Sequence, residues 1–265
     1  MNYGYHGPSS AALQLLPADL DNRYPIYLYH RVVDGLDLTG KDVLEIGCGR
    51  GGGAAALFRY QRPRRLTGVD ISYGAIELCR RLHRAEGLDF VQGDAEAVPF
   101  PAQSFDVIVN VESSFCYGSM ERFLGEVRRL LRPGGHFLFA DIRLTEEMPE
   151  LRRALSGSGL ELVREDDITA NVAAALHLDS ARRRSASRRA LPWPAQQWFD
   201  VFLGIEGTRI PNGLEARRMV YICCKFRNPG AAAAEAPPDP GIPLAASLPA
   251  ASLPADRSFR RHAGE

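Results

Sequence analysis

The chain has 265 residues, 45% of them hydrophobic, and its 32 basic side chains are balanced by 32 acidic ones. That length holds one α/β domain with a full core and modest additions. The zero net charge argues against nucleic acid or an anionic surface as partner, and no apolar run approaches the ~20 residues that span a bilayer. The five cysteines, Cys48, Cys79, Cys116, Cys223 and Cys224, are odd in number and form no C-x-x-C pair. This predicts reduced thiols, no structural metal and a cytoplasmic location, as does the lack of a basic-then-apolar leader. Nearly all basic residues are arginine, with Lys41 and Lys225 the only lysines.

Residues 1–21 carry little periodic pattern and are expected to form an N-terminal arm. From Asn22 to Val33 the aromatic and apolar residues Tyr24, Ile26, Tyr27, Leu28, Tyr29, Val32 and Val33 predict a short helix beginning near Pro25. Placed before the first strand, this helix can cover a ligand site, with Tyr24 and Tyr27 as candidate substrate contacts. Next comes Val43-Leu44-Glu45-Ile46-Gly47-Cys48-Gly49-Arg50-Gly51-Gly52-Gly53, then Ala54 to Phe58. This reads as strand, tight turn and helix. Glycine lets a ligand lie on bare backbone, and the helix start offers unpaired N–H groups and the positive end of a dipole. Gly47, Gly49 and Gly52 satisfy the dinucleotide pattern Gly-x-Gly-x-x-Gly, so a dinucleotide-dependent oxidoreductase stays open at this point.

Leu66 to Asp70 is a second strand ending in an acid, 25 residues after Glu45. That spacing is close to the ~20 at which a carboxylate accepts from ribose hydroxyls in such folds. A helix follows from Ser72, an expected N-cap, to about Ala85. Leu88 to Ala95 forms a third strand closed by Asp94. Asp106 is expected to tie a loop to the fourth strand, Val107 to Glu112, and Glu121 to Leu131 is an amphipathic helix stopped by Arg132-Pro133-Gly134-Gly135. His136 to Asp141 is the fifth strand, Glu147 to Ser156 a helix, Leu160 to Glu165 the sixth strand, and Arg217 to Phe226 the seventh. Strands six and seven flank an insertion at about 168–210, expected to be a lid, with an arginine run (Arg182, Arg183, Arg184, Arg188, Arg189) read as a solvated helix face. Residues 228–265 are Ala/Pro-rich and expected to be a flexible tail.

The order Glu45-x-Gly47-x-Gly49-x-Gly51, with the Leu131-Arg132-Pro133-Gly134-Gly135 stretch, resembles class I S-adenosylmethionine (SAM)-dependent methyltransferases over residues 22–227. Leu28-Tyr29-His30-Arg31, Cys48 to Gly53, Gly87 to Val91, Gly93 to Glu96, Asn110-Val111-Glu112 and Gly204 to Gly207 are similar to bacterial lipid and polyketide O-methyltransferases of the phthiotriol and phenolphthiotriol dimycocerosate type. The resemblance implies an α/β, Rossmann-like fold with a seven-stranded, mostly parallel sheet, helices on both faces and an antiparallel last strand. It implies SAM as cofactor and S-adenosylhomocysteine as product. Cofactor contacts are expected from Glu45, Gly47, Cys48, Gly49, Gly51, Asp70, Ile71, Asp94, Ala95, Asn110 and Val111. Asp70 would take the ribose, Asp94 the adenine amino group and Ala95 the ring, while Gly51 to Gly53 face the methionine end and Asn110 to Ser114 lie beside the sulfonium.

The acceptor is expected to be a hydroxyl oxygen on a small hydrophobic natural product, with Cys116 and Tyr117 lining its pocket. Candidate bases are His30, His177 and Glu112; His262 lies in the tail, His83 on a face expected to meet solvent, and His136 at a strand start. Three other readings stand beside this one: a cyclase keeping SAM as a structural ligand, a C- or N-methyltransferase on a secondary metabolite, and a nucleic-acid methyltransferase using the arginine run. Asn110-Val111-Glu112-Ser113 lacks the Pro-Pro motif of base amino-methylation, which disfavours the last. The oligomeric state is left open, a homodimer included.

Overall fold

Seven strands form one sheet in the computed structural model, which describes residues 2–190, Gly204, Ile205 and 207–230. They are β1 (Asp42–Ile46), β2 (Arg65–Asp70), β3 (Leu88–Gln92), β4 (Phe105–Val111), β5 (Leu131–Leu144), β6 (Glu161–Asp167) and β7 (Met219–Arg227). Their order is β3-β2-β1-β4-β5-β7-β6. All neighbours from β3 to β5 pair in parallel, and β7 runs antiparallel to both β5 and β6, as the resemblance implied. The order reverses between β1 and β4, and ligands of open α/β sheets bind at the carboxyl ends of the strands beside such a switch point.

The core follows the two-residue alternation of strands. Val43, Val107, Val109 and Leu138 face one layer with Leu28 and Val32 of α1 (Arg23–Val32) and Ala54 and Leu57 of α2 (Gly52–Gln61). Leu44, Ile108, Phe137 and Phe139 face the other, with Phe123 and Val127 of α4 (Met120–Leu130) and Leu151 and Leu155 of α5 (Met148–Ser156). The intervening α3 (Tyr73–Leu82) is capped by Ser72, whose Oγ accepts from the Ala75 N–H at 3.3 Å. As expected, Asp106 joins its loop to the sheet: it accepts from the Asp42 N–H at 2.9 Å and pairs with Arg132 at 2.9 Å.

Three segments differ from their sequence-based readings. Arg132-Pro133-Gly134-Gly135 is not a separate turn but the irregular start of β5: Leu131 already pairs with Phe105, the register shifts before Val107, and Gly134 takes φ +78°. Residues 2–20, read only as an N-terminal arm, pack against α1 and α6 (Thr169–Ala190). Tyr5 is buried, its N–H donates to the Tyr24 carbonyl at 3.0 Å, the His6 N–H donates to the Asn171 carbonyl at 3.2 Å, and 3₁₀ turns follow at Pro8–Ala12 and Pro17–Asn22. Backbone bonds and single aromatics anchor this segment, so it leaves no periodicity to read. The predicted insertion opens with α6 (Thr169–Ala190), whose buried face starts apolar at Val172 and Leu176 and turns polar at Asp179, Ser180, Arg183 and Ser187. Arg183 is therefore not on a solvated face. The remainder of the insertion at 191–203 and 206, and the tail from 231, lie outside the described residues; α7 (Arg209–Glu215) then leads into β7. Among the described residues no helix is long and apolar enough to cross a membrane.

Candidate active site

The carboxyl ends of β1 to β4 open into one cavity of about 850 Å³. At the end of β1, Gly47 takes φ +75° with Ser113 and Tyr117 packed where a Cβ would lie, so no other residue fits without displacing them. Gly49 and Gly52 line the cavity, and an added Cβ at either meets nothing within 4 Å. Bare backbone thus faces the cavity just where α2 begins at Gly52 and its first N–H groups lack helical partners. Asp70, at the end of β2, is also on the wall; its carboxylate accepts from the Gly49 N–H at 2.8 Å and the Ser72 N–H at 2.9 Å. Ile71, Asp94 and Ala95 continue the wall, Asp94 bracing its own turn through the Glu96 N–H at 2.9 Å.

Cys48, Val111, Cys116 and Tyr117 line the cavity as well. Five expected contacts do not. Glu45 is fully buried behind the glycine turn, where Oε1 accepts from the Tyr29 hydroxyl and Oε2 has no partner. Asn110 spends its side-chain amide on the Ile46 carbonyl at 3.0 Å and on Ser113 Oγ and the Tyr117 hydroxyl at 2.8 Å each, bracing β4 against β1. Gly51 turns toward Cys79, His83 and Phe90 rather than the cavity. Tyr24 and Tyr27 sit off the wall, because α1 is phased to present Asn22, Pro25, Ile26 and Tyr29 there, an i, i+3, i+4, i+7 face. That face was readable as a stripe; its direction relative to the sheet was not.

The three candidate bases separate clearly. His30 points away, its Nδ1 3.2 Å from Gln61 Nε2, and His177 is exposed on α6 and off the wall. Glu112 lies on the wall just past β4, with a left-handed backbone (φ +50°) unusual for a glutamate. Its Oε1 accepts from the Tyr3 N–H and the Tyr221 hydroxyl, each at 2.9 Å. Burial pushes its carboxyl up from 4.5 to about 7, against the opposing pull of those two donors. His83, expected to meet solvent, instead lines the α3 end of the cavity, with Nε2 3.0 Å from the Arg50 carbonyl. Sequence reasoning passed over Asn2 and Phe115; Ser113, in the stretch expected beside the sulfonium, and Arg182, read as part of a solvated face, also line the cavity. Phe115 and Cys116 ride on a 3₁₀ turn (Ser114–Cys116) that is held down where Ser114 donates to buried Asp141 at 2.5 Å and Arg143 donates to Ser114 at 2.7 Å.

Two predictions follow from this packing. An added Cβ at Gly53 would lie 2.0 Å from the Tyr29 ring, which Glu45 holds in place. Gly53→Ala is expected to lower stability by about 1–2 kcal/mol in thermal unfolding, overpacking exceeding the gain in helix propensity; an unchanged midpoint would show that α1 yields freely. Burial also lifts Glu45 from 4.5 to about 7. A carboxyl raised in the folded state binds more protons folded than unfolded, so its contribution to stability falls as pH rises between those two values. Denaturant titrations of Glu45→Gln across that range should show a shallower decline than the parent; an equal slope would contradict the assignment.

A switch-point cavity of this kind, with a glycine turn at β1 and carboxylates at the ends of β2 and β3, defines a Rossmann-like nucleotide-cofactor enzyme. The family model described as a methyltransferase domain matches residues 44–139. The chain is 41% identical over 221 residues to the phthiotriol/phenolphthiotriol dimycocerosates methyltransferase of Mycobacterium tuberculosis, covering 83% of this chain and 82% of that one. It is 41% identical over 202 residues to a fatty-acid O-methyltransferase of Mycolicibacterium smegmatis, covering 76% and 74%. In fold it is similar to geranyl diphosphate C-methyltransferase of Streptomyces coelicolor solved with S-adenosyl-L-homocysteine (TM-score 0.61, 16% identity, 86% and 92% covered). The chain belongs to the class I methyltransferases of the type that includes these mycobacterial enzymes.

Proposed function

We propose that this methyltransferase uses SAM to methylate a hydroxyl oxygen on a small hydrophobic lipid- or polyketide-like molecule. The observation that carries the reading is Glu112: of the three candidate bases it is the one on the cavity wall, with a carboxyl that titrates at about 7. Bound SAM would supply an electrophilic methyl group. The residues present suit it. Asp70 can accept from adjacent ribose hydroxyls, Gly49 and Gly52 leave room along the backbone, and Ile71, Asp94 and Ala95 can flank a base. Pro25, Ile26, Phe115, Cys116 and Tyr117 supply a mostly apolar wall for the acceptor. Holding acceptor and methyl donor in line can contribute on the order of 7–11 kcal/mol, and Glu112 takes the hydroxyl proton.

A carboxylate acceptor suits the site less well. Of the wall arginines Arg50, Arg59 and Arg182, the last two are already paired with Asp19 and Asp179, at 2.5 Å each. The names of the mycobacterial relatives support a lipid-like substrate. Incubation with methyl-labelled SAM and a panel of long-chain secondary alcohols, hydroxy esters and free fatty acids tests the proposal by mass spectrometry. Label on a hydroxylated lipid, with one added methylene equivalent, is the expected result. Label confined to free fatty acids would overturn the hydroxyl assignment, and a product of unchanged mass would favour cyclisation.

A further inference from the structure

The residues around Glu112 raise the question of what keeps its carboxyl in place. Its Tyr221 donor stands on β7, inside the sheet; its other donor is a backbone N–H from a segment at the far N-terminus. Residues 2–6 run as a strap between α1 and α6. Asn2 Nδ2 donates to the Pro25 carbonyl at 3.2 Å, and the Tyr5 and His6 N–H groups bond Tyr24 and Asn171. The third attachment is Arg183. Its guanidinium is 1% exposed, accepts nothing, and donates to the Asn2 carbonyl at 3.0 Å, the Tyr3 carbonyl at 3.1 Å and Asp179 at 2.9 Å. A buried cation is costly unless paired and hydrogen-bonded. Arg183 meets that requirement by gripping the two carbonyls next to the N–H that reaches Glu112.

We propose that Arg183 is a positioning residue: by holding the Asn2 and Tyr3 carbonyls it keeps the Tyr3 N–H on Glu112, so the N-terminal strap governs proton acceptance at the active site. The proposal rests on Glu112 being the proton acceptor. The groups facing that carboxyl are Tyr29 from α1, Asp141 from β5, Tyr221 from β7, the backbone and phenol of Tyr3, and Arg183 from α6. Of these, the Tyr3 N–H and the Tyr221 hydroxyl donate directly and favour the charged form. Loss of the Tyr3 donor therefore raises the pH at which Glu112 ionises.

The test is a pH titration of the Glu112 carboxyl by infrared difference spectroscopy, its band assigned by its disappearance in Glu112→Gln. Tyr3→Pro removes the N–H and leaves the rest of the strap. Arg183→Met releases the carbonyls while Asp179 keeps its Arg182 partner. Both are expected to move the titration up by about one pH unit, the scale of one hydrogen bond to a charged group. Single-turnover transfer to the hydroxylated lipid should then fall roughly fivefold at neutral pH and recover in alkaline buffer. Tyr3→Phe, which keeps the N–H and removes only the phenol hydroxyl near Glu112, should move the titration by less than half as much as Tyr3→Pro. Circular dichroism identifies any variant that fails to fold, and Tyr3→Pro and Arg183→Met each test the link separately. An unmoved titration in a folded variant of either kind overturns the strap. Full transfer activity in Glu112→Gln removes the proton-acceptor reading itself, and with it this inference, so the two failures are distinguishable.

Discussion

Glu112→Gln is expected to slow methyl transfer by about 10²–10⁴-fold, the range general-base groups contribute, while SAM affinity stays near that of the parent. The substitution keeps the shape of the side chain and an oxygen that still accepts from the Tyr3 N–H and the Tyr221 hydroxyl, so the wall is preserved. What it removes is the capacity to take a proton. In the parent, burial pushes the carboxyl up to about 7. A base must be ionised to act, so the rate should rise with pH through that value and level off above it; the variant should lack this limb. Single-turnover rates at saturating SAM, alongside calorimetric SAM binding, separate the two effects. A variant with parental rate and parental pH limb would show that methyl transfer needs no side-chain base here, with positioning of the two reactants sufficient.

Asp70→Ala is expected to weaken SAM binding by roughly 1.5–3 kcal/mol, the worth of hydrogen bonds to a charged acceptor, or roughly 10- to 150-fold in Kd. Two contributions act together. In the proposed reading the carboxylate accepts from a ribose, and it already holds the Gly49 and Ser72 N–H groups that shape the turns on either side of it. Asp70→Asn keeps one acceptor oxygen but sets an amide nitrogen against the other turn N–H, since the two turns use different carboxylate oxygens, so it is expected to fall between alanine and the parent. Unchanged calorimetric affinity in Asp70→Ala would refute the ribose assignment.

The parts of the site legible in sequence are those built from consecutive residues. The glycine turn after β1, the acids closing β2 and β3 and the Ser72 cap are each set by local backbone geometry, which residue type reports directly. Residues whose part depends on rotation were harder to read. Tyr24, Tyr27 and Tyr29 lie on one short aromatic helix, and only the packing of α1 on α2 and the sheet chooses Tyr29 for the wall. His30, one residue further on, is turned toward Gln61. Glu45 and Asn110 lie close to the cavity in sequence but point into the protein, where they serve as braces for Tyr29 and Ser113.

Sequence alone determined the class of fold, the order of its strands and helices along the chain, and the turn that a nucleotide-like cofactor would use. These rest on alternation, capping and glycine conformations that are decided within a few residues. Only the tertiary structure decided which of the three candidate bases faces the cavity and what holds it there. Glu112 depends on a backbone N–H 109 positions away in the chain, and that strap in turn on a guanidinium 180 positions from Tyr3. Contacts across such separations leave no trace in local pattern; they exist only once the fold has brought the N-terminal segment, the end of β4 and α6 together.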